Sequence, residues 1–327
     1  MKKRILSGIR PTGKLHLGHL IGALSNWVKM QETYHCFYMV ADWHALMSEY
    51  EDPKDLARNS IEVARDIIAA GVDPERSVLF VQSHVPEHLE LAMVFSTLTP
   101  LPWLERCPTY KEQLRDITGR DLTTYGFLGY PVLQAADIAV YKANAVPVGV
   151  DQLPHLELTR EIIRKFKLLY KADIFPEPEP LLTSTPKLLG LDNRKMSKSL
   201  DNFISLSDEP DIILKRVSKM ITDPERIKLT DKGHPSICTV FSYYQTFTDA
   251  AKREEVRNWC EGALVGCTEC KKRLANVIAE RLEPIQKKRK ELTDSKVEAI
   301  LKDGALKARE AASKTMHEVK KLINLAV

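Results

Sequence analysis

The sequence predicts a doubly wound α/β fold, in which a parallel sheet is covered on both faces by helices and followed by an all-helical C-terminal part. Three observations carry this prediction. Short apolar runs alternate with amphipathic helical stretches through the first part of the chain. The intervals between runs are long enough for the crossover helices that parallel strands require. From about residue 208 onward only helical periodicity remains.

Residues 4–8 form a short apolar strand that enters Gly8-Ile9-Arg10-Pro11-Thr12-Gly13, a loop punctuated by glycine and proline, and residues 16–30 read as the next helix. Residues 36–41 give a second buried strand. Asp52-Pro53 opens a helix carrying Leu56, Val63, Ala64, Ile67 and Ile68, which ends at Gly71. Residues 77–82 give a third strand, and Phe175-Pro176-Glu177-Pro178-Glu179-Pro180 reads as a rigid surface loop. The product is Rossmann-like, and ligands in such sheets lie beyond the carboxyl ends of the strands. Among the later helices, Leu274, Val277, Ile278 and Leu282 mark one face of a helix that Pro284 interrupts. Val297, Ile300 and Leu301 mark another. A last helix over 305–325 buries Ala312, Met316, Val319 and Ile323, with Gly304 separating it from its predecessor. The expected division is a catalytic domain over 1–207 and a helical domain over 208–327.

A chain of 327 residues, 44% hydrophobic, can bury a core of that size. No apolar run approaches the ~20 residues that span a bilayer, and only Ile5 and Leu6 stand where a secretory apolar segment would lie, so a cytoplasmic location is expected. The net charge of +4 is unevenly spread: residues 251–327 hold 18 Lys+Arg against 12 Asp+Glu, and the first 250 hold 30 against 32. A basic C-terminal part suits a polyanion such as nucleic acid, and equally a solvated helical surface.

Two motifs carry phosphate chemistry. His16-Leu17-Gly18-His19 opens a helix just after the first strand, where free backbone N–H groups and the helix dipole favour phosphate, and Gly18 leaves room for a base or ribose. Lys195-Met196-Ser197-Lys198-Ser199 offers two ammonium groups and two hydroxyls to a triphosphate whose charge shifts during displacement. In this order, separated by most of an α/β domain, the pair resembles the class I aminoacyl-tRNA synthetases. The segments Tyr130-Pro131-Val132-Leu133-Gln134-Ala135-Ala136-Asp137-Ile138, Val146-Pro147-Val148-Gly149-Val150-Asp151-Gln152 and Asp42-Trp43-His44-Ala45 narrow the resemblance to the tryptophanyl-tRNA synthetases. It runs essentially end to end and is densest over residues 4–200.

The resemblance implies activation of L-tryptophan by Mg²⁺·ATP, transfer to tRNA(Trp), and a homodimer, for which the apolar stretch 91–103 is a candidate interface. It places His16, His19, Lys195 and Lys198 at the phosphates. Arg10, Pro11, Thr12, Gly18, Gly149, Val150, Asp151, Leu188, Met196, Ser197 and Ser199 complete the implied ATP contacts. Asp137 becomes the acceptor for the indole N–H, a donor-only group, with Tyr130, His44 and Gln152 beside it. Two residues depart from the pattern: Arg10, where many relatives have Gln, and Gln134, where some have Met. A tyrosyl-tRNA synthetase and a small-molecule nucleotidyltransferase are the alternatives.

Of six cysteines, Cys36 and Cys107 read as buried, inert thiols. Cys238, Cys260, Cys267 and Cys270 follow one another at intervals of 21, 6 and 2 residues, a pattern of metal ligation. Four thiolates suit either Zn²⁺ or an iron–sulfur cluster. The resemblance favours the cluster, because some bacterial members of the family carry a [4Fe–4S] group in the helical domain at nearly this spacing.

Overall fold

The computed structural model describes residues 2–326 apart from 109, 112, 113, 115–120, 183–187 and 197–199. Five parallel strands form one sheet: β1 (Arg4–Ile9), β2 (His35–Val40), β3 (Ser77–Val81), β4 (Ala145–Val148) and β5 (Glu179–Leu182), in the spatial order β3-β2-β1-β4-β5. The chain first winds outward from β1 to β3, then returns to lay β4 against the other side of β1. Strand order therefore reverses between β1 and β4, which opens a crevice at their carboxyl ends.

Both faces of the sheet are dry, as the near-continuous apolar strands require. Side chains alternate across the pleat, so Ile5, Tyr38, Val40 and Leu79 enter one core while Leu6, Phe37, Met39 and Phe80 enter the other. Trp27 stacks on Tyr38 at 4.3 Å between centroids, and the Tyr38 hydroxyl donates to the Trp27 carbonyl at 2.9 Å, seating the first helix on β2. That helix is not uniform: the turn Leu17–His19 passes through a π-helical stretch, Leu20–Leu24, before the α-helix Ser25–Thr33. The Ser25 hydroxyl donates to the Leu20 carbonyl at 2.7 Å and thus occupies an acceptor within the wide turn.

The helical part comprises Pro210–Ser218, Thr239–Phe247, Ala250–Glu261, Cys267–Glu291 and Asp294–Leu322. Of the expected faces, Leu274, Ile278, Leu282, Val297, Leu301, Ala312, Met316 and Val319 are buried, whereas Val277, Ile300 and Ile323 are only half-buried, Ile323 just past the end of its helix.

Three local readings are corrected. Pro284 does not interrupt its helix, which continues to Glu291. The residue is exposed, and so is Glu280, whose carbonyl loses its intrahelical donor and is open to water instead. Gly304 does not separate two helices but lies within the 29-residue helix Asp294–Leu322. A Cβ there would stand 1.8 Å from the Leu79 carbonyl oxygen, so glycine is present because the helix crosses β3 backbone to backbone. Pro-rich residues 179 and 180 are not loop but the start of β5 at the sheet's edge, where a missing N–H is tolerated.

Gly304→Ala is accordingly expected to destabilise the fold by about 1–3 kcal/mol, the usual cost of overpacking, although Ala is the better helix former. Urea denaturation of the two proteins checks this, and a variant as stable as the parent would refute the close crossing.

Candidate active site

A cleft of about 400 Å³ opens at the carboxyl ends of β1, β2 and β4, within the range of small-ligand sites. Gly8, next to last in β1, lies beside it, Met39 and Ala41 come from β2 and the loop beyond, and Val146 to Gly149 come from β4 and its following turn. Gly22 and Ala23 of the π-helical stretch, with Asn26 and Trp27, close one wall. The helix Tyr125–Val140 supplies the opposite wall through Tyr130, Gln134 and Asp137.

Asp137 is fully buried and both of its oxygens are engaged. Oδ2 faces His44 Nε2 at 2.7 Å; Oδ1 accepts from Gln82 Nε2 at 2.8 Å and faces His88 Nδ1 at 2.6 Å. Burial opposes ionisation, but His44 and His88 outweigh it and hold the carboxyl down to about 2. An ionised carboxylate only accepts, so both imidazoles present N–H to it. His88 Nε2 lies 2.8 Å from the Tyr141 hydroxyl, which ties the ring's far side to the same helix. Oδ1 takes two donors and Oδ2 one, which leaves an acceptor position at Oδ2 toward the cleft.

A second relay lines the same cleft. His155 Nε2 lies 2.8 Å from the Tyr130 hydroxyl, and Nδ1 lies 3.0 Å from Gln152 Oε1. Burial, helped by nearby His44 and opposed by Asp151, holds the His155 ring down to about 4, so the ring is neutral at pH 7. Its one proton must sit on Nδ1, facing the amide oxygen, and Nε2 accepts from Tyr130. Tyr130 and Gln152 are thus fixed by a buried histidine.

The two phosphate motifs approach each other. The residues after the second motif return beside the first: Leu17 N donates to Ile204 O at 3.0 Å, Leu206 N donates to Leu15 O at 3.0 Å, and His16 forms an antiparallel bridge with Ser205. The His16 ring lies 3.8 Å from that of His19 and 5.6 Å from Phe203. A Cβ at Gly18 would meet the His16 ring at 2.9 Å and the Met196 sulfur at 3.4 Å, so the glycine is where the motifs meet. Arg289 Nε donates to Asp66 at 2.7 Å, and Asp66 accepts from Leu15 N, which anchors the first motif's approach to the helix Cys267–Glu291.

The structure sorts the expected residues into neighbouring groups. Arg10, His44, Tyr130, Asp137, Gly149 and Gln152 line the cleft itself. His16, Gly18, His19 and Met196 gather beside one another. Lys195 sits at the hairpin that precedes them, bridged to Leu189. Pro11 and Thr12 continue the turn beyond β1, and Val150 and Asp151 are exposed on the turn beyond β4. Leu188 packs against the first core and is not part of the cleft wall. Ser197, Lys198 and Ser199 lie outside the described residues.

Gln82, His88 and Tyr141, which fix Asp137, and His155, which fixes Tyr130 and Gln152, have no role assigned from the sequence. Polar residues just past β3 were the available signal for Gln82 and His88, since that end of a parallel sheet is where sites form.

In the helical part, Cys238, Cys260, Cys267 and Cys270 line a single small cavity with Asp223, Trp259 and Val265. Cys36 and Cys107 are buried. Burial, with the charges of Cys238, Cys260 and Cys267, pushes the Cys270 thiol up to about 12. Burial likewise raises Cys238 and Cys260, so these three thiols resist ionisation unless a cationic group offsets their charge. Gly233 leaves room at the rim, for a Cβ there would stand 2.3 Å from the Cys260 sulfur. Among the described residues no three His, Cys, Asp or Glu side chains are grouped to hold one metal ion. No described helix is long and apolar enough to cross a membrane.

Comparison with known proteins agrees with this geometry. The family model described as tRNA synthetases class I (W and Y) matches residues 1–283. The tryptophan–tRNA ligase of Thermotoga maritima is 49% identical over 327 residues, covering 98% of this chain and 99% of that one. The ligase of the same name from Aquifex aeolicus is 43% identical over 394 residues, covering 98% and 100%. The crystal structure of the Campylobacter jejuni tryptophanyl-tRNA synthetase, complexed with ADP and tryptophan, superimposes with a TM-score of 0.91 at 33% identity, covering 98% of this chain and 100% of that one. With that much of its length matched in sequence and in shape, the chain belongs to the tryptophanyl-tRNA synthetases of the class I tRNA synthetase family.

Proposed function

We propose that this tryptophan–tRNA ligase seats the indole of L-tryptophan in the cleft with its N–H on Asp137 Oδ2, and directs the amino-acid carboxylate at the α-phosphorus of ATP. The observation that carries the reading is a fully buried carboxylate, held ionised by two imidazoles and an amide, with an acceptor position left over at the cleft. Indole is a donor-only group and supplies what that position lacks. The carboxylate oxygen forms a bond to α-phosphorus, the bond to pyrophosphate breaks, and the terminal ribose hydroxyl of tRNA then attacks the adenylate's carbonyl carbon and releases AMP. No enzyme nucleophile is needed.

Catalysis is then positioning and electrostatics. His16, His19, Lys195 and Lys198 meet the phosphates, and Mg²⁺, held mainly by those phosphates, neutralises charge when bound. Arg10, Pro11, Thr12, Gly18, Gly149, Val150 and Asp151 contact the nucleotide, as do Leu188, Met196, Ser197 and Ser199 by the same resemblance. Tyr130, Gln152 and His44 complete the amino-acid pocket.

The four cysteines of the helical part would hold a [4Fe–4S] group. A tetrahedral zinc site with Zn–S near 2.3 Å brings sulfurs to about 3.8 Å from one another. The four thiols line one small cavity, and four thiolates suit either metal group; the resemblance favours the cluster. Such a cluster would cross-link three helices there and would take no part in the reaction. Trp259 beside it carries Lys252 and Arg273 over its ring at 4.7 and 4.5 Å. With Lys271 and Lys272, that basic and aromatic surface fits a single-stranded anticodon loop of tRNA(Trp). A homodimer would use the apolar face of Leu89, Met93, Leu101 and Tyr125, each more than a third exposed. A cytoplasmic location and the division at residues 207 and 208 complete the proposal.

Anaerobically purified protein should contain four irons and four sulfides and should support ATP–pyrophosphate exchange with tryptophan but not tyrosine. Exchange driven equally by tyrosine would overturn the pocket assignment, and stoichiometric zinc would overturn the cluster.

A further inference from the structure

The hairpin that leads into the second phosphate motif is tight. Gly190 N donates to Arg194 O at 2.7 Å, Leu189 bridges Lys195, and the turn passes through Asn193 in the left-handed region at φ +64°. Asn202, on the far side of the motif, closes it from below: its Nδ2 donates to Asp192 Oδ1 at 2.7 Å and to the Lys195 carbonyl at 3.1 Å. A Cβ at Gly190 would stand 2.4 Å from that same amide nitrogen, so the Asn202 amide packs directly against the glycine.

Leu191 is tied to Asn202 and to Ile221, whose N–H donates to its carbonyl at 3.0 Å, and the helix Thr239–Phe247 holds the two ends of the turn. The Tyr243 hydroxyl donates to the Leu189 carbonyl at 2.6 Å, and the Thr239 hydroxyl donates to Asn193 Oδ1. The two residues are four apart and share one helix face. Tyr243 is fully buried, so its hydroxyl has exchanged water for one carbonyl and has no inexpensive alternative. The N-cap of the helix is Cys238, which lines the cavity of the four thiols.

We propose that Tyr243 and Thr239 are positioning residues for adenylate formation: from the helical part of the chain they fix the 189–195 hairpin, and through it set where Lys195 meets the phosphates of ATP. The inference rests on the reading of residues 195–199 as the phosphate loop. A shift of the Thr239–Phe247 helix moves the hairpin with it, because the strand partner of Lys195 and the apex of the turn are both bonded to that one face. The tRNA-facing part of the molecule thereby touches the activation step without contacting any substrate of it.

Tyr243→Phe and Thr239→Val keep shape and remove one hydroxyl each. Tryptophan-dependent ATP–pyrophosphate exchange is measured for each variant, for the pair together and for Lys195→Ala, with tryptophan and ATP varied separately and thermal melting recorded. Tyr243→Phe is expected to lower kcat/KM for ATP about 3- to 10-fold, and the double variant about 10- to 50-fold, with KM for tryptophan unchanged. A merely structural role would lower the melting temperature and affect both substrates alike, and that result overturns the proposal. Full activity in the double variant beside a crippled Lys195→Ala overturns it while leaving the phosphate loop intact. An unimpaired Lys195→Ala overturns the loop reading and this inference together.

Discussion

Lys195→Ala is expected to lower kcat for tryptophan-dependent ATP–pyrophosphate exchange by about 10²- to 10³-fold, the usual consequence of removing one preorganised donor from developing charge. The backbone of Lys195 is paired with Leu189 and its carbonyl accepts from Asn202, so the residue is held in place before substrate arrives. Its ammonium, carried on a backbone fixed in this way, meets charge that grows on the phosphates only as the bond to pyrophosphate breaks. Its loss should therefore appear in kcat more than in KM for ATP, and KM for tryptophan should be unaffected because the amino-acid cleft is lined by other residues. Initial rates at varied concentrations of each substrate decide the matter. A variant whose KM for tryptophan rises in step with the fall in kcat would show that Lys195 supports the fold of the cleft instead.

Asp137→Asn should raise KM for tryptophan about 10- to 10²-fold, corresponding to loss of a charge-assisted hydrogen bond worth about 1.5–3 kcal/mol. An amide presents a donor where one oxygen was, and it does so against His44, His88 or Gln82, all of which donate in the parent protein. Stability should fall as well. The carboxyl titrates near 2 in the folded protein against an ordinary 3.8, and such a depressed group stabilises the fold fully above about pH 4 and loses that contribution as pH falls through about 2. The shift of nearly two units corresponds to about 2 kcal/mol. Urea unfolding at pH 7 should therefore separate parent and variant by roughly that amount, and the gap should narrow on acidification. A gap that stays constant down to pH 2 would mean that the carboxylate's charge does not contribute to stability.

The strands and the phosphate motifs were legible because local rules and global fold agree at them. Residues 4–8, 36–41 and 77–82 are apolar runs too short to be anything but buried strands, and β1, β2 and β3 lie within a residue or two of those bounds. Asp137 was legible only through family resemblance, since nothing local distinguishes a buried acceptor from a helix-surface aspartate. What was missed depends on partners far away in sequence. His88 reaches Asp137 across 49 residues and Gln82 across 55, pairings that only the closed sheet creates. Gly304 and Pro284 were read by their intrinsic preferences, which tertiary packing overrode in one case and solvent in the other. The short β5 hid in a run of prolines because an edge strand carries few of the marks of a central one.

Both margins of the sheet are occupied in ways that stop it from growing. At one margin a long helix lies so close over Leu79 that a methyl group would not fit between them, and at the other Pro180 contributes no donor to a neighbour. The close helix at one margin and the missing donor at the other each work against pairing with a further strand. Outward-facing side chains on the helices can then change singly without disturbing the ladder of backbone bonds that shapes the cleft.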